Sequence, residues 1–320
     1  MVLSPVSLIA LAVMLAAVGV GWSRRFLAVG ALAIANVAVL ILSSFGPRFD
    51  GDLSVVQAEL GLWSPNLSSD PGLGVLQLFS SMFVHADFFH LLGNLIILLA
   101  FALPFEERIG HRRFLLVYLL SGLIGSLVQV GVSFDQPILL MGASGAVFGV
   151  IGAFAASYPN LIVPLPVPLL FIMIFMRIRV WVGAILFGAL QLLYLAFVAS
   201  NTASADNTAY FAHIGGLAGG ILAGVTLVRG KVRAHRSPVA VDLGALGPFA
   251  RDTGTTQALA QMKANHDEPQ IFQAWLDRFF RTATCPTCHH KVMPRHHGEI
   301  VCTQGHRFDV RQDKRKAIAA

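Results

Sequence analysis

The 320-residue chain is 55% hydrophobic and only 12% charged, with a mean hydropathy of +0.69. A water-soluble globule has no use for that much apolar surface, so the composition points to a polytopic membrane protein. The formal charge of +6 sits in short basic clusters beside apolar runs, a placement that orients membrane helices and argues against a nucleic-acid partner.

The first apolar run, 2–22, has no basic stretch ahead of it and is followed by Arg24 and Arg25. It reads as an uncleaved extra N-terminal span (1–25), not a signal peptide. A second run covers 26–45. The loop 46–77 then carries Asp50, Asp52, Glu59 and Asp70 against a single Arg48. Runs at 78–103 and 114–133 flank the basic "ERIGHRR" (Glu107–Arg113), and a run at 143–158 follows. The stretch 161–176 holds Pro164, Pro166 and Pro168 and is short. It reads as an interfacial or re-entrant connector, not a crossing. Runs at 180–199 and 210–228 complete seven expected spans, each needing about 20 apolar residues. Arg177, Arg179, Lys231, Arg233 and Arg236 fall on the same side as Arg24-Arg25. With basic clusters in the cytoplasm, the N-terminus lies outside and the C-terminus inside a membrane of bacterial plasma-membrane type.

Within this topology four polar groups fall at one depth. Ser144, in "LLMGASGAVFGV", begins the fifth span, and His213, in "YFAHIGGLAGG", lies about one turn into the seventh. His90 and Asn94, in "HADFFHLLGN", occupy the first turns of the third span if Asp87 caps it. All three spans enter from the outer face. Polar groups in hydrocarbon are costly, and four at the same depth, two of them imidazoles, mark a functional site. Gly145, Gly149 and Gly152 on one helix, and Gly216, Gly220 and Gly224 on another, form small-residue faces that let the two backbones approach closely. Close approach brings the Ser144 hydroxyl within reach of the His213 ring. A neutral imidazole is the usual base for a serine nucleophile. The spans contain no Asp or Glu to orient that imidazole, so the arrangement is a dyad. His90 and Asn94, a turn apart, can join the Ser144 N–H as donors to an oxyanion.

"GASG" (Gly142–Gly145), "AHIGGLAGG" (Ala212–Gly220) and "HLLGN" (His90–Asn94) together resemble the rhomboid intramembrane serine proteases over about residues 26–230. The resemblance implies a six-helix core behind the extra span, with Ser144 as nucleophile, His213 as general base, and His90 and Asn94 as oxyanion donors. It implies that Gly142, Gly145, Gly216 and Gly220 are motif glycines. It also matches His85, where structural hydrogen bonding is expected, and Glu106. Substrates would be single-span membrane proteins cut near the outer boundary, with no cofactor needed for catalysis. The sequence departs from the family at Leu76-Gln77, where Trp-Arg is common, and at Phe148, where many members have Tyr. The first departure bears on loop packing. Phe148 can still stack on the histidine ring but cannot hydrogen-bond. Other intramembrane proteases are excluded: there is no HExxH and no aspartate pair within spans. An inactive client-binding relative would be expected to have lost the Ser or the His.

Beyond the membrane region the composition changes. Residues 231–255 are rich in Gly, Pro and small side chains and read as a flexible linker. Residues 256–281 read as one soluble helix with Phe272, Trp275, Phe279 and Phe280 near one face. In 282–314, Cys285 and Cys288 form CxxC, and Cys302 and His306 follow as CxxxH after thirteen intervening residues. This is zinc-ribbon-like spacing, and three cysteines in a reducing cytoplasm favour metal over disulfide. Four ligands close a tetrahedral site, so the zinc would be structural. His289, His290, His296 or His297 could replace His306. A cytoplasmic partner for this domain is left open.

Overall fold

The structure is a computed structural model describing residues 3–23, 27–133, 136–169, 172–200, 209–228, 242–265, 269–295 and 299–310. Arg24, Arg25, Lys231, Arg233, Arg236, His296 and His297 lie outside the described residues. The chain divides into two units, Met1–Val232 and Arg233–Ala320.

In the first unit, helix α1 (Pro5–Trp22) starts with Ser4 as its cap and Pro5 at its first position. The Glu59 carboxylate ties this end down, accepting from the Ser4 N–H and hydroxyl at 2.9 and 2.8 Å. Helix α2 (Ala28–Phe45) presents its first two N–H groups, Ala28 and Val29, to the buried Glu106 carboxylate at 2.6 and 2.8 Å. A carboxylate at a helix N-terminus satisfies orphan donors and complements the helix dipole. This gives Glu106 a structural use that its position alone did not disclose.

The acidic loop is ordered. It contains paired strands β1 (Arg48–Asp50) and β2 (Leu53–Ser54), α3 (Val55–Leu60), β3 (Leu62–Trp63), α4 (Asn66–Ser69) and α5 (Pro71–Ser80). Gln77, at one of the departures noted above, is buried and holds this loop. It accepts from the Trp63 N–H and Asn66 amide and donates to the Glu59 carbonyl.

Helix α6 (Phe88–Ile109) is capped by Asp87, which accepts from the His90 N–H at 2.9 Å, and ends at Gly110 with φ +80. Helix α7 (His111–Val132) and strand β4 (Leu139–Leu140) follow, with β4 pairing to β3. Helix α8 (Ser144–Ser157) is followed by β5 (Ile162–Leu169), β6 (Ile172–Arg179), α9 (Val180–Ser200) and α10 (Tyr210–Ala223), which runs into a π turn at Gly224–Val228.

Among the described residues, six helices are long and apolar enough to cross a membrane, and the chain is an integral multi-pass membrane protein. The remaining expected span, the fifth in chain order, is α8, which has only 14 residues, about 21 Å of helix against about 30 Å of hydrocarbon. All residues from Gly145 to Phe154 are buried, and α6, α7, α9 and α10 pack around α8. A helix enclosed by protein has no need to match the bilayer thickness.

The proline-rich segment, expected as an interfacial or re-entrant connector, forms an antiparallel β5–β6 hairpin. Prolines spaced by two place all three missing N–H groups on one strand edge, so the partner ladder survives.

In the second unit, a 3₁₀ turn at Gly247–Phe249 precedes α11 (Thr253–Ala264) and α12 (Pro269–Thr282). A three-stranded antiparallel sheet follows, in the order β7 (Val292–Arg295), β8 (Glu299–Cys302), β9 (Arg307–Asp309). Two expectations are corrected here. Residues 256–281 form two helices, because Asn265 closes α11 with its side-chain amide donating a hydrogen bond to the Gln261 carbonyl and Pro269 opens α12. The distal part of the expected flexible linker is structured, with Leu246 and Phe249 buried among Met262, Phe272, Phe279 and Ile300.

Candidate active site

The glycine faces set the geometry. A Cβ on Gly216 would overlap the Gly145 carbonyl, one on Gly220 would overlap the Gly149 carbonyl, and one on Gly224 would lie 2.6 Å from the Ala153 carbonyl oxygen. α8 and α10 therefore run in backbone contact along these rows. Gly149 is also closed in by Ser121 of α7. Gly145 itself is less tightly held, with its nearest neighbour, the Ala212 carbonyl oxygen, at 3.4 Å from an added Cβ. On the other side of α10, Gln129 of α7 accepts from the Ala212 N–H at 3.1 Å.

This packing places Ser144, the first residue of α8, beside His213 of α10. The Ser144 Oγ lies 2.7 Å from His213 Nε2. Phe148, one turn further along α8, stacks on the imidazole with centroids 4.6 Å apart and an interplanar angle of 4°. The ring is thus fixed in plane without a phenolic hydroxyl.

The loop before Ser144 is pinned from below. The Gly142 N–H donates to the Ser81 carbonyl at 2.9 Å, and the Ala143 N–H donates to His85 Nε2 at 3.3 Å. Because His85 Nε2 accepts, its proton sits on Nδ1, which donates to the Phe83 carbonyl. His85 therefore has the structural role expected of it.

Gly142 has φ +126, where an L side chain is strained, and a Cβ there would sit 2.8 Å from the His90 ring and 3.7 Å from the Ser144 Oγ. The missing side chain leaves a space that His90 and Ser144 both face. His90 packs edge-on against His85, with centroids 5.2 Å apart. Asn94 spends one amide N–H on the His90 carbonyl at 2.8 Å and keeps a second donor. His90, Asn94, Ser144, Phe148 and His213 line a single cavity of about 790 Å³. All four polar residues singled out in the sequence come together here.

One residue was missed. Gln191 of α9 places its Oε1 2.7 Å from His213 Nδ1. The usual orienting partner of a catalytic imidazole is Asp or Glu, and the spans offer neither. The available signal was the single amide in "VWVGAILFGALQLLYLAFVAS".

The second unit contains a distinct cluster. Cys285, Cys288, Cys302 and His306 bring their ligand atoms within 4.8 Å of one another. Cys288 and Cys302 sulfurs are 3.3 Å apart, and His306 Nδ1 lies 3.8 Å from Cys285 Sγ and 3.6 Å from Cys302 Sγ. Two tight turns present these groups, one through His289 at φ +62 and one through Gly305 at φ +89. The Gln304 N–H donates to Cys302 Sγ at 3.1 Å, the kind of bond that favours a thiolate. Three soft sulfurs and an imidazole at these separations fit a tetrahedral metal ion. Of the alternative histidines, His289 faces Arg251 and His290 contacts the Cys288 carbonyl.

Comparison with known proteins adds an independent line. The Rhomboid domain family matches residues 73–230. The putative rhomboid protease YdcA of Bacillus subtilis is 30% identical over 161 residues, covering 50% of this chain and 70% of that protein. Rhomboid-like protease 3 of Toxoplasma gondii is 43% identical over 77 residues, 24% of this chain and 28% of the relative. RHOMBOID-like protein 1 of Arabidopsis thaliana is 36% identical over 83 residues, 26% of this chain and 21% of the relative. The chain thus spans about a quarter of the length of these last two.

Proposed function

Because the chain belongs to the rhomboid family, we propose that it is an intramembrane serine endopeptidase acting through Ser144 and His213. The observation that carries this reading is the 2.7 Å contact between Ser144 Oγ and His213 Nε2. Ser144 Oγ attacks the scissile carbonyl carbon as its proton passes to His213 Nε2. The resulting oxyanion occupies the space beside Gly142, where the His90 ring, the free N–H of Asn94 and the first-turn N–H of Ser144 can donate to it. Collapse breaks the C–N bond, His213 returns the proton to the leaving amine, and a water activated by the same imidazole hydrolyses the acyl-Ser144 ester.

Ser144 and His213 lie near the N-terminal ends of their helices, at the end of the unit where Asp87 caps α6. With the basic clusters in the cytoplasm, that end faces outside and the N-terminus is external. The substrates are then single-span membrane proteins cut near the outer boundary. A cavity of about 790 Å³ falls in the roughly 300–1,000 Å³ range of ligand pockets and suits a short unwound segment. A helix hides its carbonyls in backbone bonds, so a segment with helix-breaking residues should be cut faster than a strongly helical one. The test is a pair of such reporters in liposomes with the full-length protein and mapped products. Cleavage at the outer boundary, faster for the helix-broken reporter, is the expected result. Binding without any cleavage would instead support a client-binding protein.

We propose further that Cys285, Cys288, Cys302 and His306 of the second unit would hold a zinc ion, which would supply a structural cross-link. Full-length protein purified under reducing conditions should carry about one zinc per chain. Cys285→Ser/Cys302→Ser should carry none, and its C-terminal unit should become sensitive to protease. Zinc retained in that variant, or absent from the reduced wild type, would contradict the assignment.

A further inference from the structure

Helix α9 offers one amide to an otherwise apolar environment. Leu186, Leu190, Leu192 and Leu193 around Gln191 are all exposed on the protein surface and suited to lipid. An amide placed there costs about 1–3 kcal/mol unless it is hydrogen-bonded. Its Oε1 meets His213 Nδ1 at 2.7 Å, on the far side of the ring from Ser144.

That contact has a chemical consequence. An amide oxygen can only accept, so the ring proton must lie on Nδ1. Nε2 is then left with a lone pair directed at the Ser144 hydroxyl, the tautomer a general base needs. Phe148 fixes the plane of the ring by stacking, and Gln191 fixes its rotation and tautomer within that plane. After Nε2 takes the serine proton, the Nδ1–H bond persists and the amide dipole faces the new positive charge. A carboxylate would do this more strongly, but would place a second charge where the surroundings are apolar.

We propose that Gln191 is a positioning residue, completing a Ser144–His213–Gln191 relay that holds His213 in its Nδ1–H tautomer. The assignment rests on the protease reading. In a serine protease triad, losing the tautomer-setting group costs about 10⁴-fold. A neutral acceptor contributes less, so Gln191→Leu should lower kcat and the rate of fluorophosphonate labelling by about 10- to 100-fold, with KM within about twofold. Gln191→Glu keeps an acceptor oxygen at the same reach and should restore most of the labelling rate. In ¹⁵N-histidine spectra of detergent-solubilised protein, the His213 signals should report a protonated Nδ1 in the wild type and lose that signature in Gln191→Leu.

A Gln191→Leu protein that labels at the wild-type rate would overturn the proposal. So would a loss that follows thermal stability and is shared equally by Gln191→Glu. A wild type that neither labels nor cuts would overturn the underlying protease reading instead, and the spectra would still test the tautomer.

Discussion

Ser144→Ala, His213→Ala and the double variant are expected to reduce cleavage to one common floor, about 10⁴-fold or more below the wild type. Nucleophile and base act as a unit, so removing either removes the same step, and the second loss adds little. The geometry gives the reason: with Oγ and Nε2 2.7 Å apart, each atom's contribution exists only in the presence of the other. Ser144→Ala removes a single hydrogen bond, worth about 1 kcal/mol. The folded state should therefore survive, and substrate binding should be close to normal. Rates measured on one reporter, together with thermal stability in the same detergent, check both halves. A double variant much slower than either single variant would mean that the two residues act independently.

Gly142→Ala is expected to be nearly as damaging through a different route. At φ +126 an alanine is strained, by about 1–3 kcal/mol. Its methyl would also stand 2.8 Å from the His90 ring, within the space that His90 and Ser144 share. If that space receives the oxyanion, filling it removes donors worth about 10²–10³-fold each. Cleavage should fall by about 10³-fold while the Ser144–His213 contact persists. The distinguishing measurement compares Gly142→Ala with Gly145→Ala, whose Cβ would meet nothing nearer than 3.4 Å. Comparable losses in both variants would indicate general helix disruption, not a filled oxyanion site.

Much of this site was legible because the bilayer makes polar residues conspicuous. Ser144, His213, His90 and Asn94 stand out against apolar runs, and the glycine rows show which helices must touch. Gln191 was not legible, because a lone glutamine in a span reads equally well as a helix–helix hydrogen bond. Only the folded backbone shows that its oxygen reaches His213 and not a neighbouring helix. The shortness of α8 was hidden for a similar reason. Hydropathy counts apolar residues and does not record that the helix is enclosed by protein. At 161–176, the prolines argue against a crossing, but the strand pairing depends on their spacing of two, which suits a strand edge and is silent in a hydropathy reading. In the tail, Asn265 and Pro269 mark helix boundaries in the sequence, but the shared aromatic face of 256–281 suggests one continuous helix. The uses of Glu106 and Gln77 depend on partners 77 or 78 residues and up to 18 residues away, respectively, beyond the reach of local pattern.

A serine nucleophile activated within the fold reacts with electrophilic serine probes, and the proposal places that role on Ser144. The most direct measurement is to treat the detergent-solubilised full-length protein with a fluorophosphonate and map the adduct by mass spectrometry. One phosphonylated residue, Ser144, is expected, with labelling lost in His213→Ala. An intact protein that takes up no probe, or takes it up equally without His213, would contradict it.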